Sequence, residues 1–231
     1  MRIPGRAVGG ILAALSFSIL ATTAWAAGYA RPELLIETEE LAKIVNQPNV
    51  RLVDAVDPAS YQRAHIQGAV NVFYLDLAKL EERKKNGHPL SNAEAEKIFG
   101  EAGIDNNTQV IVYDGGEGPS ASGVWFVLDF FGHKNVKVLN GGFRKWLKEG
   151  RPVTQDAPTV EKKKFAAAPK PDRVVPRAWV EKNLRGKDVV VVDTRSFNEF
   201  IGKDVRPGAS RGGHIPGAVH LEWTKFSDKV N

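Results

Sequence analysis

The chain has 231 residues, of which 42% are hydrophobic and 26% are charged. This composition is ordinary for a soluble globular protein, and the length suits one large domain or two of average size. The chain contains no cysteine, which excludes disulfides and thiol chemistry by its own side chains. The longest basic cluster, 162–164, has no helical stripe around it, so we predict no nucleic-acid partner.

Residues 1–26 have the pattern of a secretory signal peptide, which we favour over the alternative of a retained membrane anchor. Arg2 and Arg6 give a positive start, an apolar run follows over 7–24, and Ala24-Trp25-Ala26 supplies a small-x-small cleavage site. Cleavage leaves 30 basic and 27 acidic side chains, a net charge of +3. No later segment is apolar enough to span a bilayer, so we predict no membrane contact after cleavage. The signal predicts an exported protein, in the periplasm if the source is Gram-negative, and the absence of cysteine suits such an oxidising compartment.

Short β-branched runs alternate with helix-like patterns between residues 51 and 148. We predict strands at 51–54, 69–72, 109–113 and 136–139. We predict helices from Pro58, over 91–102 and 121–131, and a short helix ending near Trp146. Strands separated by helices predict the fold class α/β, with a mostly parallel sheet covered by helices.

Three of the predicted helix starts carry capping residues. Asp57 precedes a proline, an N-cap pattern, and Ser91 with Glu94 has the spacing of a capping box. Ser196 and Glu199 repeat this spacing later in the chain. We therefore expect Glu199 to cap a helix, with a catalytic role as the alternative.

The second half of the chain repeats the first. His214-Ile-Pro-Gly-Ala-Val219 matches His65-Ile-Gln-Gly-Ala-Val70 at five of six positions, at an offset of 149 residues. Such a period is too long for a solenoid unit and predicts two copies of one domain. We place the first copy at 30–150 and an incomplete second copy at 176–231. The proline-rich stretch 151–175, which shows no periodicity, is predicted to be a linker.

The repeated residues resemble the rhodanese family, and the match covers both copies in order from about Leu35. In the second copy the resemblance rests on 192–195, on Glu199-Phe200-x-Gly202 and on 213–218. In the first copy it rests on Val138-Leu-Asn-Gly-Gly142 followed by Trp146. The ordered and duplicated motifs are typical of a tandem rhodanese, a thiosulfate sulfurtransferase.

This resemblance implies a defined chemistry. A rhodanese cysteine takes the sulfane sulfur of thiosulfate, or of a related donor, and passes it to cyanide or a thiol. In tandem members that cysteine lies in the second domain, in a loop after a central strand, where backbone N–H groups stabilise an anion. The implied partners are a small anionic sulfur donor and a thiol or cyanide acceptor, without a cofactor. A 3-mercaptopyruvate sulfurtransferase is the alternative within this class.

The sequence departs from the family pattern at the cysteine. In the first copy Asp114 takes its position, and a carboxylate cannot form a persulfide; Glu117 adds further negative charge. We therefore expect the first copy to be non-catalytic. In the second copy the counterpart of Gln109 would fall at position 258, so the active-site loop is missing. We expect the cysteine beyond residue 231 and predict no catalytic residue within the chain.

Three residues of the second copy are supporting candidates for the site: Asp193, Arg195 and His214. Arg195 either contributes to the electrostatic field of the site or holds loops together by pairing with a carboxylate. His214 precedes a turn into a strand, and a structural hydrogen bond is weighed against a role as a base. His65, its counterpart in the first copy, has the same two interpretations.

The glycine-rich loop 115–120 matches neither a phosphate-binding loop nor a nucleophile elbow. A residual anion site and a plain turn both stay open for it. The five histidines have no close metal-ligand spacing, so we predict no metal site.

Two hypotheses about function follow. In the first, the sequence is a C-terminally truncated form of a rhodanese sulfurtransferase and is inactive as given. In the second, it is a non-catalytic rhodanese-like binding or scaffold protein, which the lack of cysteine favours. An incomplete second copy should leave a sheet edge and an apolar face uncovered.

Overall fold

The computed structural model describes residues 29–79 and 87–227. The predicted signal peptide lies outside these residues, so its cleavage and the export of the protein stay predictions. In the described parts of the chain, no helix is both long and apolar enough to cross a membrane. Among the described residues, those from Glu33 onward cluster as one unit by their contacts.

The first copy is built on a parallel sheet. Its strands are β1 (Leu35–Ile36), β2 (Val50–Asp54), β3 (His65–Ile66), β4 (Val70–Asn71), β5 (Gln109–Tyr113), β6 (Val136–Leu139) and β7 (Val153–Thr154). Five of them form the main sheet in the order β1-β6-β5-β2-β4, and every pairing in it is parallel. β3 and β7 form a separate antiparallel pair. The predicted α/β fold with a parallel sheet is confirmed.

Helices connect these strands. They are α1 (Thr38–Ile44), α2 (Pro58–Arg63), α3 (Asn92–Glu101), α4 (Pro119–Phe130) and α5 (Gly142–Lys148). The predicted caps are confirmed: Asp57 accepts a hydrogen bond from the Ser60 N–H at 3.0 Å, and Ser91 forms a capping box with Glu94. α4 begins two residues earlier than predicted, because Pro119 fits the first helical position.

Alternate side chains of β5 enter two hydrophobic cores, one on each face of the sheet. Val110 and Val112 lie in the core that α3 and α4 cover. Ile111 and Tyr113 lie in the core that α1 and α5 cover. The central strand is therefore buried on both faces, as its β-branched sequence predicts.

Residues 151–175, which we call the strap, contain strand β7 and a 3-10 helix (Pro171–Arg173) and pack against the first copy. Phe165 is 2% exposed and meets the Phe99 ring edge-on at 5.1 Å. The Lys163 N–H donates to the Gly100 carbonyl at 3.0 Å, and a Cβ on Gly100 would lie 2.6 Å from the Lys163 carbonyl oxygen. The linker prediction thus missed this packing, since one buried aromatic side chain gives no periodic signal. The boundaries of the two copies stay a prediction.

The second copy repeats the beginning of the first. Its elements are α6 (Arg177–Asn183), β8 (Val192–Asp193), α7 (Phe197–Phe200) and β9 (Val219–His220). β8 pairs with β9 in the same parallel register in which β2 pairs with β4. β8 has only two residues, whereas its counterpart β2 has five. In the described residues only β9 pairs with β8.

Phe165→Ala tests the contribution of the strap to the core. Removing a buried phenylalanine should lower the free energy of unfolding by about 3–5 kcal/mol, because it leaves a cavity. The measurement is urea unfolding of the mature chain. Phe226→Ala is the matched control, since Phe226 is 67% exposed and its removal should change little. Equal effects of the two substitutions would contradict the packing of the strap.

Candidate functional site

The loop between β5 and α4, residues 114–118, lies at the carboxyl end of the parallel sheet. Ligands of open α/β sheets bind in this position. The loop begins with Asp114, directly after the last residue of β5, and ends with Gly118, the N-cap of α4. The loop therefore joins a buried strand end to a helix N-terminus, where backbone N–H groups are free to bind an anion.

The carboxylate of Asp114 occupies the centre of this loop. Its Oδ1 accepts hydrogen bonds from the N–H groups of Gly116 at 2.9 Å and Gly118 at 3.2 Å. Its Oδ2 accepts from the Ala121 N–H at 3.1 Å, in the first turn of α4. We call these three N–H groups the cradle. Because Asp114 is only 3% exposed, the cradle is an anion site filled by the chain's own carboxylate.

The first turn of α5 donates two backbone hydrogen bonds to the loop. The Phe143 N–H donates to the Asp114 carbonyl at 2.8 Å, and the Arg144 N–H donates to the Gly115 carbonyl at 3.1 Å. A Cβ on Gly142 would lie 2.6 Å from the Asp114 carbonyl oxygen, and its φ of +55° also disfavours a side chain. The Gly-Gly motif noted in the sequence therefore lets α5 approach the loop closely.

An ion pair covers the outer face of the loop. Glu117 bonds to the guanidinium of Arg144, and both side chains are about half exposed. The sequence indicated the negative charge of Glu117 but not its partner, 27 positions away. Arg144 offsets that charge, so the negative charge in the loop centre comes mainly from Asp114.

Asp54 is a second buried carboxylate, at the carboxyl end of β2. Its Oδ1 accepts a hydrogen bond from the Val56 N–H at 3.1 Å. Burial raises the pKa of Asp54 to about 6, and the nearby charge of Asp114 acts in the same direction. The sequence pattern places Asp54 only at the end of a predicted strand, 51–54. Its position beside Asp114 follows from the pairing of β2 with β5, which no local pattern encodes.

Two of the supporting candidates, Asp193 and Arg195, lie together at the corresponding strand end of the second copy. Asp193 accepts from the Arg195 N–H at 3.1 Å, the same turn that Asp54 makes with Val56. The Arg195 guanidinium adds bonds to both oxygens of Asp193 and reaches the Gly213 carbonyl at 2.9 Å. This pairing lowers the pKa of Asp193. The contacts favour the loop-holding role of Arg195.

The third candidate, His214, lies against α7 rather than against Asp193. Its ring stacks on Phe200 at 3.8 Å, and its Nδ1 lies 2.9 Å from the Phe200 carbonyl oxygen. His65 makes the same two contacts with Tyr61, at 3.8 and 2.9 Å. The repeated geometry favours a structural role for both histidines. A part for them, or for Arg195, in catalysis stays a prediction.

Glu199 caps α7 as predicted. It forms a capping box with Ser196, and its Oε1 accepts a hydrogen bond from the Arg206 Nε at 2.7 Å. The bond to Arg206, followed by that to Ser196, lowers the pKa of Glu199 to about 2. Both oxygens therefore have partners within the second copy.

Comparisons with known proteins agree with this architecture. The fold and the loop define an α/β protein with a backbone anion cradle. The model of the rhodanese-like domain matches two segments, 37–149 and 176–230. The chain belongs to the rhodanese family.

Individual relatives are sulfur-transfer proteins. Thiosulfate sulfurtransferase of Rattus norvegicus is 33% identical over an alignment of 210 residues, and the match covers 83% of this chain and 70% of the relative. The sulfur carrier protein TtuD of Thermus thermophilus is 31% identical, over 86% of this chain and 72% of the relative. The 3-mercaptopyruvate sulfotransferase SseA of Escherichia coli superposes with a TM-score of 0.73 at 25% identity, over 84% of this chain and 77% of that one.

Asp114→Ala tests the filled cradle. The substitution leaves three buried N–H groups without their acceptor, so the free energy of unfolding should fall by about 2–4 kcal/mol. Asp114→Asn keeps one carbonyl oxygen and should lose less. Sulfate at constant ionic strength should stabilise the alanine variant more than the wild type, because an external anion can enter the cradle. An alanine variant as stable as the wild type would contradict this account.

Asp54→Asn tests the buried carboxylate. Because the folded-state pKa of Asp54 is raised to about 6, its contribution is fully present below pH 4 and is lost as the pH rises through 6. The uncharged asparagine avoids this loss. The variant should therefore gain up to about 3 kcal/mol relative to the wild type between pH 4 and 8, measured by urea unfolding.

Asp193→Asn is the control of opposite sign. The pKa of Asp193 is lowered, so its stabilising contribution is present above pH 4 and is lost as the pH falls. Its asparagine variant should lose stability relative to the wild type as the pH rises towards 4, and the difference should then stay constant up to pH 8, read locally by hydrogen exchange of 191–195. The same trend for both variants would rule out the assigned causes.

Proposed function

We propose that the protein serves sulfane-sulfur transfer from thiosulfate to cyanide or a thiol acceptor. The observation that carries this proposal is the cradle, in which three backbone N–H groups bind one anion at the position that matches the family's cysteine. Such a cradle suits a thiolate, a persulfide and an anionic donor alike. The rhodanese motifs of the second copy support the same chemistry.

The family reaction has two balanced steps. A cysteine thiolate attacks the outer sulfur of thiosulfate, the sulfur–sulfur bond breaks, and sulfite leaves with the bonding electron pair. Cyanide or a thiolate then attacks the outer sulfur of the persulfide, which releases thiocyanate or a new persulfide and restores the thiolate. Every species at the loop is anionic, so the same N–H groups stabilise both steps.

The first copy cannot carry out these steps. The carboxylate of Asp114 forms no persulfide and already fills the cradle, which excludes an anionic donor. Since the 231 residues contain no cysteine, none of their side chains can carry the sulfur. We assign catalysis to a cysteine outside these residues, in the counterpart of loop 114–118 in the second copy.

The donor, acceptor and location belong to this proposal. We propose a small anionic donor, thiosulfate, in line with the name of the rat relative. The superposition on SseA supports 3-mercaptopyruvate as the alternative donor. The signal-peptide pattern supports export to the periplasm, and the mild net charge of the mature chain fits a small-molecule substrate rather than nucleic acid.

A non-catalytic binding or scaffold protein is the second candidate. The specific observation in its favour is the lack of cysteine in both copies. In this case the filled cradle of the first copy is a structural element only, and the second copy contributes a surface. The two candidates differ in whether a thiol is part of the active protein.

The decisive experiment uses protein purified from its native source. We expect an intact mass above that of residues 27–231, formation of thiocyanate from thiosulfate and cyanide, and complete inhibition by iodoacetamide. Comparison of kcat/KM for thiosulfate and for 3-mercaptopyruvate then assigns the donor. A mass equal to that of residues 27–231, with no thiocyanate formed, would refute the enzyme and favour the binding protein.

A further inference from the structure

The strap is bonded to the first copy at the amino end of the main sheet. Three of its N–H groups donate to first-copy carbonyls: Lys163 to Gly100 at 3.0 Å, Ala168 to Phe131 at 3.0 Å and Lys170 to Phe130 at 2.8 Å. A Cβ on Gly132 would lie 2.8 Å from the Ala168 carbonyl oxygen, so the two backbones touch. These bonds define a closed state of residues 160–170 whose opening can be measured.

Two unpaired polar atoms lie beside this segment. Among the described residues, His133 Nε2 and Arg51 Nε are the buried side-chain nitrogens or oxygens that lack a hydrogen-bond partner. The His133 ring stacks on Phe165 at 6.1 Å. A Cβ on Gly103 would clash with Val160 of the strap and lie 2.9 Å from Arg51 Nη2. Closure of the strap therefore removes water from two groups that gain no bond in return, and opening restores it.

The hydrogen bonding of His133 selects its neutral form. The residue is 1% exposed. The Asn135 N–H donates to His133 Nδ1 at 3.2 Å, so Nδ1 carries no proton and the ring proton is on Nε2. A second proton would bind at Nδ1 and face the Asn135 N–H. A charged ring would therefore break this bond and place a buried charge against Phe165.

The charges around His133 do not compensate for its burial. Burial lowers the pKa of His133, although the carboxylate of Asp105 and the carbonyls of Asp105 and Thr108 act in the opposite direction. Asp105 already pairs with Lys163 of the strap at 3.5 Å. The other charged groups of the neighbouring elements bond elsewhere or are exposed: Glu96 of α3 to the Ala167 N–H, Asp129 of α4 to Lys170 and Arg173, and Lys134 and Lys164 in solvent.

We propose that His133 is a pH switch for the strap: its neutral ring keeps residues 160–170 closed on the first copy, and its protonation releases them while the sheet stays folded. On release, His133 and Arg51 both regain water. Because the strap leads directly into the second copy, the switch sets how firmly that copy is tied to the first. The inference goes beyond the proposed function, since it requires no sulfur chemistry.

Acid weakens the closed state because His133 is buried in it. The pKa of the closed state lies below the ordinary value of 6.5, which the ring regains when the strap opens. The open form then binds more protons, so closure is fully favoured at high pH and weakens as the pH falls below 6.5. Asp54, whose pKa is raised, has the opposite effect on stability. A loss of strap protection in acid therefore cannot come from Asp54.

Hydrogen exchange of the mature chain between pH 7.5 and 5.0 tests the switch. The amides of Lys163, Ala168 and Lys170 report closure through their protection factors, which are corrected for the intrinsic exchange rate at each pH. These factors should fall by up to about 30-fold, the change expected if the closed ring stays neutral and the open ring titrates at about 6.5. The protection factors of 110–112 in β5 should not fall.

His133→Asn is the test variant. Its side-chain oxygen can accept the Asn135 N–H but does not titrate, so strap protection should change by less than about threefold over the same range. His214→Asn is the matched control, since His214 lies against Phe200 in the second copy and its removal should keep the full fall. Equal pH dependence of the wild type and His133→Asn overturns the switch. A parallel fall at 110–112 also overturns it, because the whole first copy then unfolds.

NMR of the ring nitrogens in the wild type decides the question if His133→Asn does not fold. At pH 7.5 the ring of His133 should carry its proton on Nε2 alone. Gain of the second proton should coincide with the loss of strap protection. A ring that gains this proton while 160–170 stays protected overturns the switch.

Discussion

The carboxylate of Asp114, bound by three backbone N–H groups, is the interaction on which the first copy depends. Asp114 directly follows the last residue of β5. Its carboxylate accepts hydrogen bonds from two N–H groups within loop 114–118 and from one in the first turn of α4. The loop in turn fixes how closely α5 can approach, which is why Gly142 carries no side chain. One side chain therefore couples the central strand to the helices on both faces of the sheet.

The two copies make the same turn at a strand end, with opposite electrostatic results. Asp54 and Asp193 each accept a hydrogen bond from the N–H two positions on. Burial beside Asp114 raises the pKa of Asp54, whereas the guanidinium of Arg195 lowers that of Asp193. Two changes produce the difference: Asp54 is the more deeply buried carboxylate, and Val56 stands in the first copy where Arg195 stands in the second. The two copies therefore share the backbone turn, but the second copy adds the positive charge of Arg195 at the strand end.

The sequence predicts what local patterns and family motifs encode. The bounds of β5, the caps at Asp57 and Ser91, and the duplicated domain follow from propensity, spacing and repetition. The packing of Phe165, the pair Glu117–Arg144 and the approach of Asp54 to Asp114 do not. Each depends on contacts between residues far apart in the chain, and periodicity carries no information about them. The position of Asp114 was predictable, but its role as the occupant of the cradle was not.

A cradle of backbone N–H groups is costly when it is buried and empty, because unpaired donors lose their hydration. The first copy removes this cost with a permanent carboxylate, which leaves no room for chemistry. A catalytic copy must meet the same electrostatic demand with a thiolate, a persulfide or the donor itself, and it is less stable whenever these are absent. In a duplicated domain, the two ways of filling the cradle can occur in different copies. One copy keeps the internal carboxylate and is more stable, while the other binds exchangeable anions and can react. In these terms the carboxylate of Asp114 stabilises the first copy, because it satisfies the three N–H groups of the cradle at all times.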